Sequence, residues 1–276
     1  MPTLTCEISQ SLWTALQRKS EETGESVSHL VSRALADSLQ VEHGTLFQVS
    51  TSGALVEGVF GGVVSVGTLR EHGDFGLGTF IDLDGEMIVL DGEVYQMRSD
   101  GTIRIPDDRE QVPFAIVTHF SPDATAALPP FASFKALTAD LDARRGTDNL
   151  FFAALIRGRF ARLHVRIACK ADAHESLVEA TGHQAEFTHT DIDGTLLGFW
   201  TPAFAKGFGI PGWHLHFISD DRKHGGHVLD CTAEGLTVAL EHIDDFRVAI
   251  PETAAFLAAD LSGDTTAALD KAERAH

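Results

Sequence analysis

The chain has 276 residues, enough for one large domain or two modest ones with a full apolar core. Apolar residues make up 43% and charged residues 22%, an ordinary globular composition, but 40 acidic against 21 basic side chains leave a net charge of −19. That balance speaks against a protein built mainly to grip phosphate backbones or an anionic membrane surface, because both tasks require cationic neutralisation. No apolar run approaches the roughly 18–20 residues needed to span a bilayer. The first five residues, Met1 to Thr5, carry neither the basic nor the apolar region of a signal peptide. Cys6, Cys169 and Cys231 match no metal or redox spacing and read as three small buried thiols in a reducing cytoplasm.

In chain order, residues 3–9 alternate Leu4, Cys6 and Ile8 against Thr3, Thr5 and Glu7, a strand signal of period two. Ser9 or Ser11 then caps a helix carrying Leu12, Ala15 and Leu16 on one face, and Gly24 stops it. Ser26 caps a second helix whose apolar positions run Val27, Leu30, Val31, Ala34, Leu35 and Leu39. One strand and two short helices cannot bury a core alone, and a lone strand leaves both edges open. A two-fold dimer in which the strands of two copies pair is the simplest solution. This pattern resembles a ribbon-helix-helix module, whose exposed strand residues read the DNA major groove. Here those residues would be Thr3, Thr5 and Glu7, and residues 1–43 hold three basic against six acidic side chains. The expectation is therefore an oligomerisation module, giving a homodimer or higher homo-oligomer, with DNA binding disfavoured by charge.

From about Thr45 the texture changes to short apolar runs broken by glycines. Strands are predicted over 87–90, 93–97, 102–105, 114–120, 151–158, 161–168, 194–200, 213–218, 227–231 and 236–242. Helices fit 53–59, 66–72 and 133–143, and the Ala-rich tail 254–276 reads as part helix. The predicted fold class is α/β: a mixed, sheet-dominated body over 44–276 with the N-terminal segment 1–43 appended.

The sharpest chemistry is Trp213-His214-Leu215-His216-Phe217 followed by His227. Residues i and i+2 of a strand share a face, so His214 and His216 project together. The intervening polar, glycine-ended segment 219–226 reads as a hairpin loop that brings His227 beside His216. Three imidazoles from two paired strands form a facial triad with one side open, which suits a catalytic Zn²⁺. Elsewhere Glu86 opens the apolar strand Met87-Ile88-Val89-Leu90, as an exposed edge charge or as a desolvated acid of raised pKa. Arg166, in an apolar strand, either snorkels to solvent or faces a cavity and binds an anion.

Taken together, these segments resemble bacterial α-acetolactate decarboxylases. The matching stretches are Gln48-Val49-Ser50-Thr51 with Ala54-Leu55, Leu69 through Phe80, Leu83 through Gly92, Gly194 through Phe199, and Pro211 through Phe217 with Gly225 through Asp230. They cover most of residues 45–235. The resemblance implies a zinc enzyme that converts 2-acetolactate to acetoin and CO₂, the metal acting as a Lewis acid that stabilises an enediolate. It assigns the zinc ligands to His214, His216 and His227, the essential arginine to Arg166, an active-site glutamate to Glu86 and a substrate-binding threonine to Thr79. By spacing alone it assigns a second catalytic glutamate to Glu273. The segment 1–43 lies outside it. Two other readings carry different consequences: a cupin-like metalloenzyme of another reaction type, and a regulator whose N-terminal module binds DNA while the body senses a metabolite.

Overall fold

The computed structural model describes residues 4–39, 44–172 and 175–273. The chain divides into two compact units, Met1–His43 and Gly44–His276.

In the first unit α1 spans Gln10–Thr23. The Ser9 side chain accepts from the Leu12 N–H at its start, and Gly24 closes it in the left-handed conformation, its N–H donating to Ser20 O at 2.8 Å. α2 spans Val27–Leu39, and Ser26 Oγ accepts from His29 N at 3.0 Å. The strand predicted over 3–9 is not formed by the described residues 4–9, and Thr3 lies outside them. A strand needs a ladder partner, and residues 4–9 have none within the described chain. Cys6 is exposed and Cys169 half-buried, so only Cys231 matches the expectation of buried thiols. Burial, with help from Asp230, pushes the Cys231 thiol up to about 12.

The second unit runs β1 (Thr45–Val49), α3 (Ser52–Val56), β2 (Val64–Ser65), α4 (Val66–His72), β3 (Phe75–Thr79), β4 (Glu86–Leu90), β5 (Glu93–Met97), β6 (Ile103–Arg104), β7 (Gln111–Val112), β8 (Phe114–Thr118) and β9 (Ala124–Leu128). It continues with α5 (Phe134–Arg145), β10 (Phe151–Ile167), α6 (Leu177–Thr181), β11 (Ala185–Thr201), β12 (Gly212–Ser219), β13 (Gly225–Ile243), β14 (Asp245–Ala249), α7 (Ala254–Ala258) and α8 (Thr266–Glu273). One seven-stranded sheet has the order β14-β1-β8-β3-β4-β5-β6, with only β1 and β14 parallel. A five-stranded antiparallel sheet has the order β10-β11-β12-β13-β9, and β10 also pairs with β13, so four of its strands close on one another. The fold class is the mixed, sheet-dominated α/β class read from the sequence.

Three apolar clusters explain the layers. Leu77, Ile88, Phe114, Ala153, Leu197 and Ile218 pack between the two sheets. Phe160, Leu163, Leu215, Phe217 and Val228 fill the far side of the five-stranded sheet, where Leu137 and Leu141 of α5 cover them. Val66 and Leu69 of α4 lie over Met87, Val89 and Val117 on the outer face of the seven-stranded sheet. Strands β3, β4 and β8 are therefore buried on both faces, which is why they read as continuous apolar runs. Gly78 permits β3 to lie close to β8: a Cβ there would stand 2.5 Å from Phe114 O.

Two pairs of predicted strands turn out to be single long ones. Residues 151–158 and 161–167 belong to β10, which is continuous through register irregularities at Gly158, Phe160 and Arg162 and ends one residue before the predicted end at Ala168. Residues 227–231 and 236–242 belong to β13. β11 begins nine residues before the predicted start at Gly194, because residues 185–193 are mostly polar, with only Ala185, Phe187 and Ile192 apolar, and carry little hydrophobic signal.

Candidate active site

The triad sits where β12 and β13 meet, on the face turned to the seven-stranded sheet. Leu215 and Phe217 point the other way into their core, which leaves His214 and His216 on the inner face. β12 and β13 pair antiparallel with His216 opposite His227, and β10 sets Arg166 opposite His227 on the other edge of β13. Gly226 makes that second approach tolerable: a Cβ there would stand 2.6 Å from Arg166 O.

All three imidazoles are buried. His214 Nε2 lies 3.1 Å from His216 Nε2 and 3.0 Å from His227 Nδ1, so three ring nitrogens converge on one point. The outer nitrogens are held differently. His216 Nδ1 donates to Met87 O on β4 at 2.9 Å, and His227 Nε2 donates to Glu273 O at 3.1 Å. A carbonyl only accepts, so these bonds place the proton on the outer nitrogen and a lone pair on the inner one. His214 Nδ1 is buried with no hydrogen-bond partner among the described residues. Burial holds all three rings neutral: it pushes His216 down to about 4 against the opposing Met87 carbonyl, and it drives His214 and His227 well below their ordinary value, helped by neighbouring rings and Arg166.

Beside the triad, Arg166 is 4% exposed and therefore does not snorkel. Its Nη2 donates to Glu273 Oε2 at 2.8 Å, its Nη1 lies 3.5 Å from Glu86 Oε1, and its Nε is buried without a partner among the described residues. Glu86 is buried, not an edge charge. Its Oε1 accepts from Ala168 N at 3.2 Å and its Oε2 lies 3.6 Å from His216 Nε2. Glu273, assigned by spacing alone, is brought to the same place by α8, whose Leu269 and Ala272 are buried in the core between the sheets. Its Oε2 stands 3.6 Å from His227 Nδ1 and 3.8 Å from His214 Nε2. Burial raises the pKa of both carboxyls. The Arg166 guanidinium opposes this in each case, the Ala168 N–H also opposes it at Glu86, and the charge of Glu86 adds to it at Glu273. Thr79 is buried in the same cavity wall, but its hydroxyl already donates to Gly85 O at 2.8 Å.

These groups surround a small cavity of about 40 Å³ whose apolar wall includes Leu55, Phe114, Leu177 and Ile210. A wider groove of about 570 Å³, lined in part by Trp200, Trp213 and Phe134, also reaches His214, His227 and Glu273. The Met87 and Glu273 carbonyls and the Ala168 amide were not legible in the sequence. Backbone groups are common to every residue, so no side-chain pattern marks them.

Three imidazoles, a buried guanidinium and two buried carboxyls of raised pKa in one shielded cavity define an enzyme. A family model described as alpha-acetolactate decarboxylase matches residues 46–263. The alpha-acetolactate decarboxylase of Methanosarcina mazei is 39% identical over 230 residues, covering 83% of this chain and 80% of that relative. That of Lactococcus lactis subsp. cremoris is 39% identical, covering 78% and 92%. The crystal structure of alpha-acetolactate decarboxylase from Bacillus subtilis strain 168 superposes with a TM-score of 0.81 at 34% identity, over 84% of this chain and all of that one. The chain belongs to the alpha-acetolactate decarboxylase family and is a carboxy-lyase.

Proposed function

We propose that this chain decarboxylates 2-acetolactate to acetoin and CO₂ at the His214–His216–His227 cavity, with a divalent metal, Zn²⁺, held by the three histidines. One observation carries the reading: ring nitrogens of His216 and His227 lie 3.1 and 3.0 Å from His214 Nε2, beside a buried arginine. The donor set fits a cation. His216 and His227 each turn a lone pair inward, and His214 Nε2 has at most one proton to share between them, so acceptors outnumber protons at that point. Three imidazoles with an open side suit a catalytic zinc. When bound, the ion supplies a Lewis acid that lowers the energy of negative charge on the substrate's oxygens.

The protein's own groups do the rest. Arg166, whose Nε–H has no partner among the described residues, recognises the substrate carboxylate and sets the breaking C–C bond parallel to the neighbouring carbonyl π system. Its hold is shared with Glu86 and Glu273, so it orients the departing carboxylate without stabilising the ground state excessively. Loss of CO₂ leaves an electron pair that the adjacent ketone accepts as an enediolate. Glu86, whose pKa burial raises, returns a proton to the carbon that lost CO₂. Glu273 faces Arg166 and two of the histidines, and its carboxyl is the second proton reservoir. Thr79 forms part of the cavity wall.

The test is metal analysis with an acetolactate assay on native, chelated and zinc-reloaded protein. About one metal per chain is expected, with release of acetoin and CO₂ lost on chelation and restored on reloading. Full turnover without metal would overturn the metal role, and absence of acetoin would favour another reaction type.

Residues 1–43 are read as a module that joins copies of the chain. The support is apolar surface: Leu4, Ile8, Leu12, Trp13, Leu35 and Leu39 are all exposed.

A further inference from the structure

The three histidines are not equally well mounted. His216 and His227 are each fixed at the outer nitrogen by a carbonyl, whereas His214 Nδ1 has no such partner among the described residues. His214 also stands near the start of β12, two residues after Gly212, whose φ is +92°. A strand end preceded by a permissive residue is a weak place to hold a ligand.

That end is fastened from outside. Trp213 Nε1 donates to Asp142 Oδ1 on α5 at 2.9 Å, and the same oxygen accepts from Arg145 Nε at 3.0 Å. The Arg145 guanidinium carbon lies 3.4 Å from the centroid of the Trp200 ring, and Trp200 is the cross-strand partner of Trp213, with ring centroids 5.9 Å apart. Arg145 is 8% exposed, and a second carboxylate, Asp148, pairs with it at 2.8 Å. A cation buried this far is costly unless matched. Here its matching groups tie the last turn of α5 to β11 and β12 one residue from His214, where Phe199 of β11 is the cross-strand partner of that histidine.

We propose that Asp142 is a positioning residue for His214: through Trp213 and Arg145 it holds the start of β12 and replaces the outer hydrogen bond that His214 lacks. The proposal rests on the reading of the triad as a metal centre. It is tested on the full chain loaded with Co²⁺, an imidazole-binding ion with a visible ligand-field spectrum. Asp142→Ala and Trp213→Phe are expected to weaken Co²⁺ binding about tenfold in chelator competition and to shift the absorption bands. Asp142→Asn, which keeps an acceptor oxygen for both donors, is expected to stay close to wild type. Thermal unfolding is followed in parallel, because a merely structural role lowers stability without moving affinity or spectrum. Wild-type affinity and spectrum in both Asp142→Ala and Trp213→Phe would overturn the proposal. Trp213→Phe, which preserves most of the side-chain volume, decides the matter if Asp142→Ala does not fold. Wild-type protein that binds Co²⁺ without decarboxylating acetolactate would overturn the proposed reaction and leave the spectra to decide this inference. Wild-type protein that does not bind Co²⁺ would overturn both.

Discussion

Helix α1 of the N-terminal unit and the central strands of the body handle apolar residues in opposite ways. α1 buries none of its residues, and Leu12 and Trp13 face solvent. In β3, β4 and β8 every residue is buried, including Glu86 and Thr79. The difference teaches where each unit's stability and purpose lie. A helix with good caps forms from local sequence, yet its apolar stripe adds stability only when something covers it. The body covers its own stripes twice over, and that surplus of enclosure lets it hold ionisable groups out of water. Chemistry is therefore expected to depend on the body alone, and association on the N-terminal unit.

The most severe break of that contrast is at the triad. His216→Ala is expected to abolish metal retention and lower acetolactate turnover by about 10³-fold or more, with the secondary structure unchanged by circular dichroism. Turnover near wild type would remove the triad from the mechanism. Glu86→Gln is expected to leave the metal bound and depress kcat by about 10²–10⁴-fold. Retained kcat would show that the proton comes from another group.

The other side of the contrast is tested by deleting residues 1–43, or by Leu12→Asp in the full chain. Solution mass is expected to fall to a smaller assembly while kcat/KM is unchanged. An unchanged mass in light scattering would sink the association role.

The smallest effect concerns a polar group that the body encloses without evident catalytic use. Glu241 is fully buried, and Ser121 N donates to its Oε2 at 3.0 Å. Burial, opposed by that N–H and reinforced by Asp123 and Asp74, pushes its carboxyl up to about 9. A folded value raised above the ordinary 4.5 means that the folded state holds a proton the unfolded chain has lost. Its stabilising contribution is thus complete below about pH 4.5 and is lost progressively as pH rises to about 9. Glu241→Gln is expected to raise the unfolding midpoint at pH 8 by about 2–4 °C or more and to flatten its decline with pH. An identical pH profile in the two proteins would mean that Glu241 is ionised in the fold.

Much of this was legible beforehand, for reasons that differ between elements. α1 and α2 follow from caps at Ser9 and Ser26 and a stop at Gly24, which act within a few residues. β4 and β8 were legible as uninterrupted apolar runs, whereas β9 and β14, with weak or exposed apolar content, were not. At the site, the spacing of His214 and His216 and the hairpin back to His227 could be read because strand periodicity alone puts them on one face. The roles of Glu86 and Arg166 could not be read from their flanking residues. Whether a charge beside an apolar strand meets water or a cavity depends on what the other sheet places over it.

The sequence by itself determined most of the local elements, the acidic composition, the division of texture near residue 44 and the candidate site side chains. Tertiary structure alone decided that Glu273, 187 positions after Glu86 in the chain, shares one guanidinium with it. It also decided which backbone carbonyls fix His216 and His227. These are contacts between groups far apart in sequence, and their free energy comes from the burial that brings the two sheets together, a property no single segment carries.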